Sequence, residues 1–292
     1  MSLSVQIGLL LALATAFASV LGFLYKHRGA VASPRVDMRH PLRTSFALFR
    51  NPWYVLGIVI ALVGWGFHVG ALALAPISLV QATIAGGLVL LTVTADRLFA
   101  HEVTRREWAG VALAALGLAF LAGSAGDVGE DAHADYEVAR LVGYLGTVAG
   151  AAVVVPFFAV GRAHEGVLFG ASAGMFWAAS DTAIKALSGN LGESSVVGIL
   201  IHPLAAVIAL ASLAGLIVSA RGLQTGKAVP VIAVTSVAAN ALTIAAGPIV
   251  FAEPMPEDAL GVALRVGAFA LVICAAAMTP APVSAARAVE AR

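Results

Sequence analysis

The sequence predicts an all-α polytopic membrane helix bundle of about nine transmembrane helices, arranged as two inverted four-helix repeats joined by one linker helix. Three observations predict it. First, 60% of the 292 residues are hydrophobic and only 11% are charged, with a mean hydropathy of +0.96, whereas a soluble globule carries about 25% charged residues. Second, a bilayer core about 30 Å thick needs about 20 apolar residues per helix, and nine stretches of the chain meet that length. Third, the second half resembles the first. Gly8 to Lys26 matches Val167 to Lys185, and Asn51 to Leu116 matches His202 to Gly267 at a nearly constant offset, anchored by Pro52 with Pro203, Glu102 with Glu253 and Gly110 with Gly261.

The first stretch, 3–25, contains a small-x-small triplet, Ala16-Phe17-Ala18, of the kind cut in signal peptides. It lacks a positively charged leading region and has a counterpart in the second half, so it reads as a span. Spans 52–74, 77–98 and 106–124 complete the first repeat; 139–161 is unmatched; 166–187, 197–220, 228–252 and 258–279 form the second. Four helices return the chain to the side on which it began, so only an odd linker helix inverts the second copy. The resulting segments are 1–138 (first repeat with an acidic external loop), 139–164 (linker), 165–279 (second repeat) and 280–292 (a flexible cytoplasmic tail).

Lysine and arginine placement tests this count independently, because short cytoplasmic loops hold an excess of both. With the N-terminus outside, fourteen of the seventeen basic residues fall on the cytoplasmic side, and only Arg140, Lys185 and Arg265 fall elsewhere. The C-terminus is then inside, and the expected location is a bacterial cytoplasmic membrane. The first cytoplasmic loop, His27 to Arg50, reads either as an interfacial amphipathic stretch or as a plain positive tether. The external loop with Asp127, Glu130, Asp131, Asp135 and Glu137 reads as a solvated segment or as a cation-concentrating mouth.

Several function classes are excluded. Net charge of +1 leaves no footprint for nucleic acid, and the single Cys274 in an apolar run supports neither disulfides nor a thiolate metal site. No cofactor is expected. Gly170-Ala171-Ser172-Ala173-Gly174 matches the nucleophile-elbow pattern of hydrolases, but that elbow needs a strand-to-helix turn and this match lies within an apolar helix. The chain is therefore expected not to be an enzyme. Its expected partners are the lipid bilayer and a small-molecule or cation substrate; a homodimer is left open.

Inverted repeats are typical of secondary transporters, and costly side chains point to where substrate binds. Ionisable groups in the hydrocarbon region must face protein, water or one another. Three qualify: His68, Asp181 and Arg265. Asp181 and Arg265 lie at matching depth, about 10 Å in at 1.5 Å per residue, which suggests an interhelical ion pair. Lys185 offers Asp181 a second partner at i+4. Either pair reads as a helix lock or as a substrate or proton site. Gly170, Gly174, Trp177, Asp181 and Lys185 share one helical face, and His68 lies on a second small-residue face with Gly57, Ala61, Gly64 and Ala71. Gln81 and Ser78 follow Pro76, while Ser236, Asn240, Thr243 and Gly247 form a stripe near the midplane; Pro76 and Pro230 start or interrupt the corresponding helices. The candidate substrate-binding residues are accordingly Gln81, Trp177, Asp181, Asn240, His68 and Ser236, with Asp181, Lys185 and Arg265 as a structural or coupling ion pair. Metal ligands are not assignable.

These residues carry a family likeness. The run ALALAPISLVQATIAGGLVLLTVTADRLFAHEVTRREWAGVALAALGLAFL, with Glu102 before a basic turn, resembles the EamA-type half of the drug/metabolite transporter superfamily, and VPVIAVTSVAANALTIAAGPIVFAEPMPEDALGVALRVGAFAL repeats it with Glu253. Nine spans and the PISLVQ stretch resemble the branch that includes NIPA-like magnesium transporters. The resemblance implies alternating access between inverted repeats and transport of a small metabolite or a divalent cation. Magnesium would ask for one or two carboxylates with retained waters, and Asp181 is the clear deep acid. A non-transporting membrane scaffold or subunit is the remaining alternative. The repeats also differ: Asp181 aligns with Gly22, Asn240 with Val89 and Gln81 with Ile232, whereas Lys185 keeps a match in Lys26.

Overall fold

A computed structural model describes residues 1–31, 49–98, 105–123, 132–158, 164–189, 195–225 and 228–278. Ten α-helices follow in order: α1 (Leu3–Val31), α2 (Pro52–Leu74), α3 (Ile77–Leu98), α4 (Arg105–Gly123), α5 (Val138–Val154), α6 (Glu165–Ser188), α7 (Val196–Ile201), α8 (Pro203–Thr225), α9 (Ala228–Val250) and α10 (Ala259–Met278), with a 3-10 turn at Val155–Phe158 after α5. All regular structure among the described residues is helical.

Local chemistry sets the helix ends. Asn51 caps α2 by accepting from Trp53 N at 2.9 Å, and Pro52 sits in the first turn, where a missing N–H costs nothing. Pro76 drives its predecessor Ala75 into an extended conformation (φ −139°, ψ 157°), which ends α2 and lets α3 begin at Ile77. Prolines also correct two expected spans. The stretch 197–220 divides into α7 and α8 because His202 is extended before Pro203. The linker stretch 139–161 leaves α geometry at Val154, one turn around Pro156 being 3-10. The acidic stretch 124–131, the loop 32–48, Glu102 and the tail from 279 lie outside the described residues. So do the side chains of Lys26, Pro230 and Ile232.

Packing in the second half repeats that of the first, pair by pair. α1 lies on α2 and α3, and α6 lies on α8 and α9; α3 meets α4 as α9 meets α10. Small residues permit these approaches. A Cβ on Gly64 would come within 2.9 Å of Ala18 Cβ, and one on Gly174 within 2.8 Å of Ala238 Cβ. Where the halves meet, α3 faces α9 and α4 faces α10. Two further contacts are one-sided: α6 rests on α2 and α10 on α3, while their counterparts, α1 with α8 and α4 with α9, touch marginally at most among the described residues.

The core runs through α6, whose residues 182–188 are all buried. Outward faces are apolar: Leu62 and Trp65 on α2, Leu210 on α8 and Phe157 after α5 are exposed. Two segments, Pro52–Leu74 and Val138–Phe158, have the length and hydropathy of a membrane span, and six further helices contain shorter apolar stretches.

Candidate functional site

Three of the residues singled out by sequence meet at one point. Asp181 of α6 accepts a hydrogen bond from Gln81 Nε2 of α3 at 2.8 Å on one carboxylate oxygen, and its other oxygen lies 3.1 Å from His68 Nε2 of α2. The His68 and Asp181 side chains are 10% and 21% exposed, so the contact is shielded from most of the solvent. A neutral imidazole with its proton on Nε2 suits the carboxylate and leaves Nδ1 as an acceptor. That Nδ1 is buried without a hydrogen-bond partner among the described residues. The site thus joins two helices of the first half to one of the second.

The expected ion pairs do not form. Lys185, one turn beyond Asp181 on α6, turns away and donates to the carbonyls of Leu72 (2.6 Å), Ala75 (2.8 Å) and Ala132 (2.5 Å). Arg265 Nη1 donates to Pro254 O at 2.7 Å. The physical reason is the break at Ala75-Pro76. It leaves carbonyls without helical partners at the end of α2, where the dipole is negative, and a buried ammonium satisfies both needs.

Beside Lys185 lies a group that sequence reasoning did not place in the site. Glu253, 4% exposed in the α9–α10 connection, accepts from Ser78 N at 3.3 Å and from Ser78 Oγ. Its carboxyl group therefore sits at the N-terminus of α3, the favourable end for negative charge. Burial pushes the Glu253 carboxyl up from its ordinary value; the Ser78 hydrogen bonds and the charges of Lys185 and His133 oppose that rise. The available signals were the match of Glu253 to Glu102 and its place between two apolar helices.

Two polar layers result. Gln81 and Ser78 are three residues apart on α3 and Asp181 and Lys185 four apart on α6, so the layers are separated by about 4.5 to 6 Å. The remaining candidates form no hydrogen bond to either layer among the described residues. Asn240 Nδ2 donates within α9 to Ser236 O (2.8 Å) and Ser236 Oγ (3.1 Å). Trp177 borders α8, where a Cβ on Gly215 would lie 3.3 Å from its ring. No group of three or more His, Cys, Asp or Glu side chains converges to hold a metal ion among the described residues.

No family model, curated protein or solved structure matches this chain.

Proposed function

We propose that the chain is an integral membrane secondary transporter of the drug/metabolite transporter type, with nine spans, the N-terminus outside and the C-terminus inside. It moves a small metabolite or cation by rocking one half against the other. The observation that carries this reading is the Asp181–His68–Gln81 site, which is built from both halves: relative motion of α6 against α2 and α3 makes or breaks it. Asp181 has only neutral or titratable donors as hydrogen-bond partners, and His68 Nδ1 offers an unused hydrogen-bonding atom beside it. A ligand carrying N–H or O–H donors and positive charge answers both features.

Apolar outward faces support a lipid setting, since soluble monomers rarely expose large contiguous apolar patches. The pairwise repetition of packing supports two related halves. A single carboxylate with an imidazole and a carboxamide favours an organic or hydrated ion over a dehydrated magnesium ion, which asks for a rigid octahedron of oxygens.

The test is a binding screen on purified protein with organic cations, amino acids and metal ions, followed by flux in liposomes. Saturable binding and uphill flux of an organic cation or metabolite support the reading. Saturable binding of magnesium alone moves it to the divalent-cation branch, and absence of flux for every bound compound refutes it.

A further inference from the structure

We propose that Lys185 and Glu253 form a charged plug that closes the Asp181 site at the end of the bundle where α2 meets α3, and that the site opens there when Glu253 leaves Ser78. The inference rests on the transporter reading and adds the parts that seal one side.

Position comes first. The plug layer lies one helical turn from the Asp181 layer on both α3 and α6, so a solute approaching Asp181 from this end must pass the level of Lys185, Ser78 and Glu253 to reach it. The first two are fully or almost fully buried and Glu253 is 4% exposed, which makes the layer a closure and not a vestibule.

The two charges hold different elements. Lys185 binds three carbonyls, two at the end of α2 and one, Ala132, in the segment before α5. Glu253 comes from the α9–α10 connection and grips the first turn of α3. Each charge meets the helix end of opposite partial charge, and each also senses the other. Elements from the first half, the linker approach and the second half are thereby fastened at one level. The one-sided packing agrees with this: α6 lies on α2 and α10 on α3, whereas α1 with α8 and α4 with α9 touch marginally at most among the described residues.

Strain marks Glu253 as the moving part. Among the described residues, two non-glycine residues have positive φ, Ala252 (50°) and His133 (48°), and each adjoins a plug contact: Ala252 precedes Glu253, and His133 follows the Ala132 carbonyl held by Lys185. A left-handed alanine persists only where its surroundings over-determine it. The connection folds back on α9, with Glu253 N donating to Gly247 O at 3.2 Å. Gly247 is required there, because a Cβ at that position would collide with the Glu253 carboxyl group. Releasing Ser78 removes the side-chain contacts of Glu253 that help hold Ala252 in its strained conformation.

The experiment uses the full chain in liposomes with Cys274→Ala and Gln81→Cys, and reads the rate at which a membrane-impermeant methanethiosulfonate reagent modifies the new thiol from each face. Ser78→Ala removes the hydroxyl that grips Glu253; Gly247→Ala keeps both partners and pushes the carboxyl group aside. Both variants are expected to speed modification from the α2–α3 end about tenfold or more, as a shift toward the open state requires, with no gain from the other end. Unchanged rates in both variants, each melting as a folded protein, overturn the plug. Flux by the protein retaining Gln81 is measured alongside: its absence refutes the transporter reading, whereas flux with unchanged labelling refutes the plug alone.

Discussion

Gln81 Nε2 donates to Asp181 at 2.8 Å across the boundary between the two halves of the chain, the two residues lying 100 positions apart in sequence. A polar bond between elements so far apart survives in an apolar bundle only where both helices are positioned by packing, and here the glycines of α6 and the break at Pro76 do that work. Asp181→Asn presents one acceptor and one amide donor to two donors. The variant is expected to remain folded, with a loss of about 1 to 3 kcal/mol from the mismatched bond, and to lose at least about tenfold in flux or ligand affinity. Thermal melting and liposome flux read the two effects separately.

Double-mutant cycles distinguish the bond that forms from the pair that does not. Asp181→Asn with Gln81→Leu should be non-additive by about 0.5 to 1.5 kcal/mol, in line with a typical intramolecular hydrogen bond. Asp181→Asn with Arg265→Gln should be additive to within about 0.5 kcal/mol, because Arg265 donates to Pro254 O instead. Coupling in the second cycle equal to that in the first would restore the Asp181–Arg265 pair.

Lys185→Met tests the fastening of α2. Lys185 is fully buried, and its loss takes the ammonium donor from the carbonyls of Leu72, Ala75 and Ala132, of which Leu72 keeps only the longer bond from Ser188 Oγ at 3.4 Å. The expected cost is at least about 3 kcal/mol, since one partner of a buried charged network is removed. Arg140→Gln is the contrast. Arg140 is paired with Glu137 at 3.1 Å but is 58% exposed, so its loss should cost under about 1 kcal/mol. Equal melting temperatures for the two variants would contradict the assignment of Lys185.

Glu253 gives a pH dependence whose sign follows from burial. Its folded-state pKa is raised above the ordinary glutamate value of 4.5. In the window between the two values the folded protein holds the proton more often than the unfolded chain does, so stability falls as pH rises through it. Glu253→Gln does not titrate. The wild type should therefore lose stability relative to Glu253→Gln as pH is raised above 4.5, measured as the difference in melting temperature across a pH series; a difference independent of pH would remove Glu253 as the responsible group.

Most of the architecture was legible in the residues. Hydropathy placed one apolar stretch on each of α1–α6, α8, α9 and α10, because a long apolar helix carries its signal in every residue, but it misjudged the far ends of α1 and α5 and both ends of α8 by five to seven residues. Prolines 156 and 203 reshaped two of them, and their effect on the preceding residue is local enough to have been foreseen. His68, Gln81 and Asp181 stood out individually as costly polar groups among small residues. Their partners did not. Depth along a helix says how far a charge lies from the membrane surface, not which neighbour its side chain turns toward. Lys185 chose the unpaired carbonyls of α2 over Asp181 because the break at Ala75 created a stronger need, and that competition exists only once three helices are packed. Glu253 was read as a marker of the repeat; its bond to Ser78 depends on a connection folding back over Gly247.

The glycines of α6 and α5 separate close packing from mere helix composition. On Gly174 a Cβ would meet Ala238 Cβ at 2.8 Å and Ala239 N at 2.9 Å, with backbone on α9 unable to yield. Gly174→Ala should therefore push α6 from α9 and destabilise by about 1 to 3 kcal/mol, the range for overpacking. On Gly146 of α5 a Cβ meets nothing within 4 Å among the described residues, so Gly146→Ala gains helix propensity, about 0.5 to 1 kcal/mol. Melting temperatures of the two variants should move in opposite directions. A fall for Gly146→Ala as large as that for Gly174→Ala would mean that the open face of α5 is covered by another chain, and cross-linking yield through a cysteine at 146 would then rise with protein concentration.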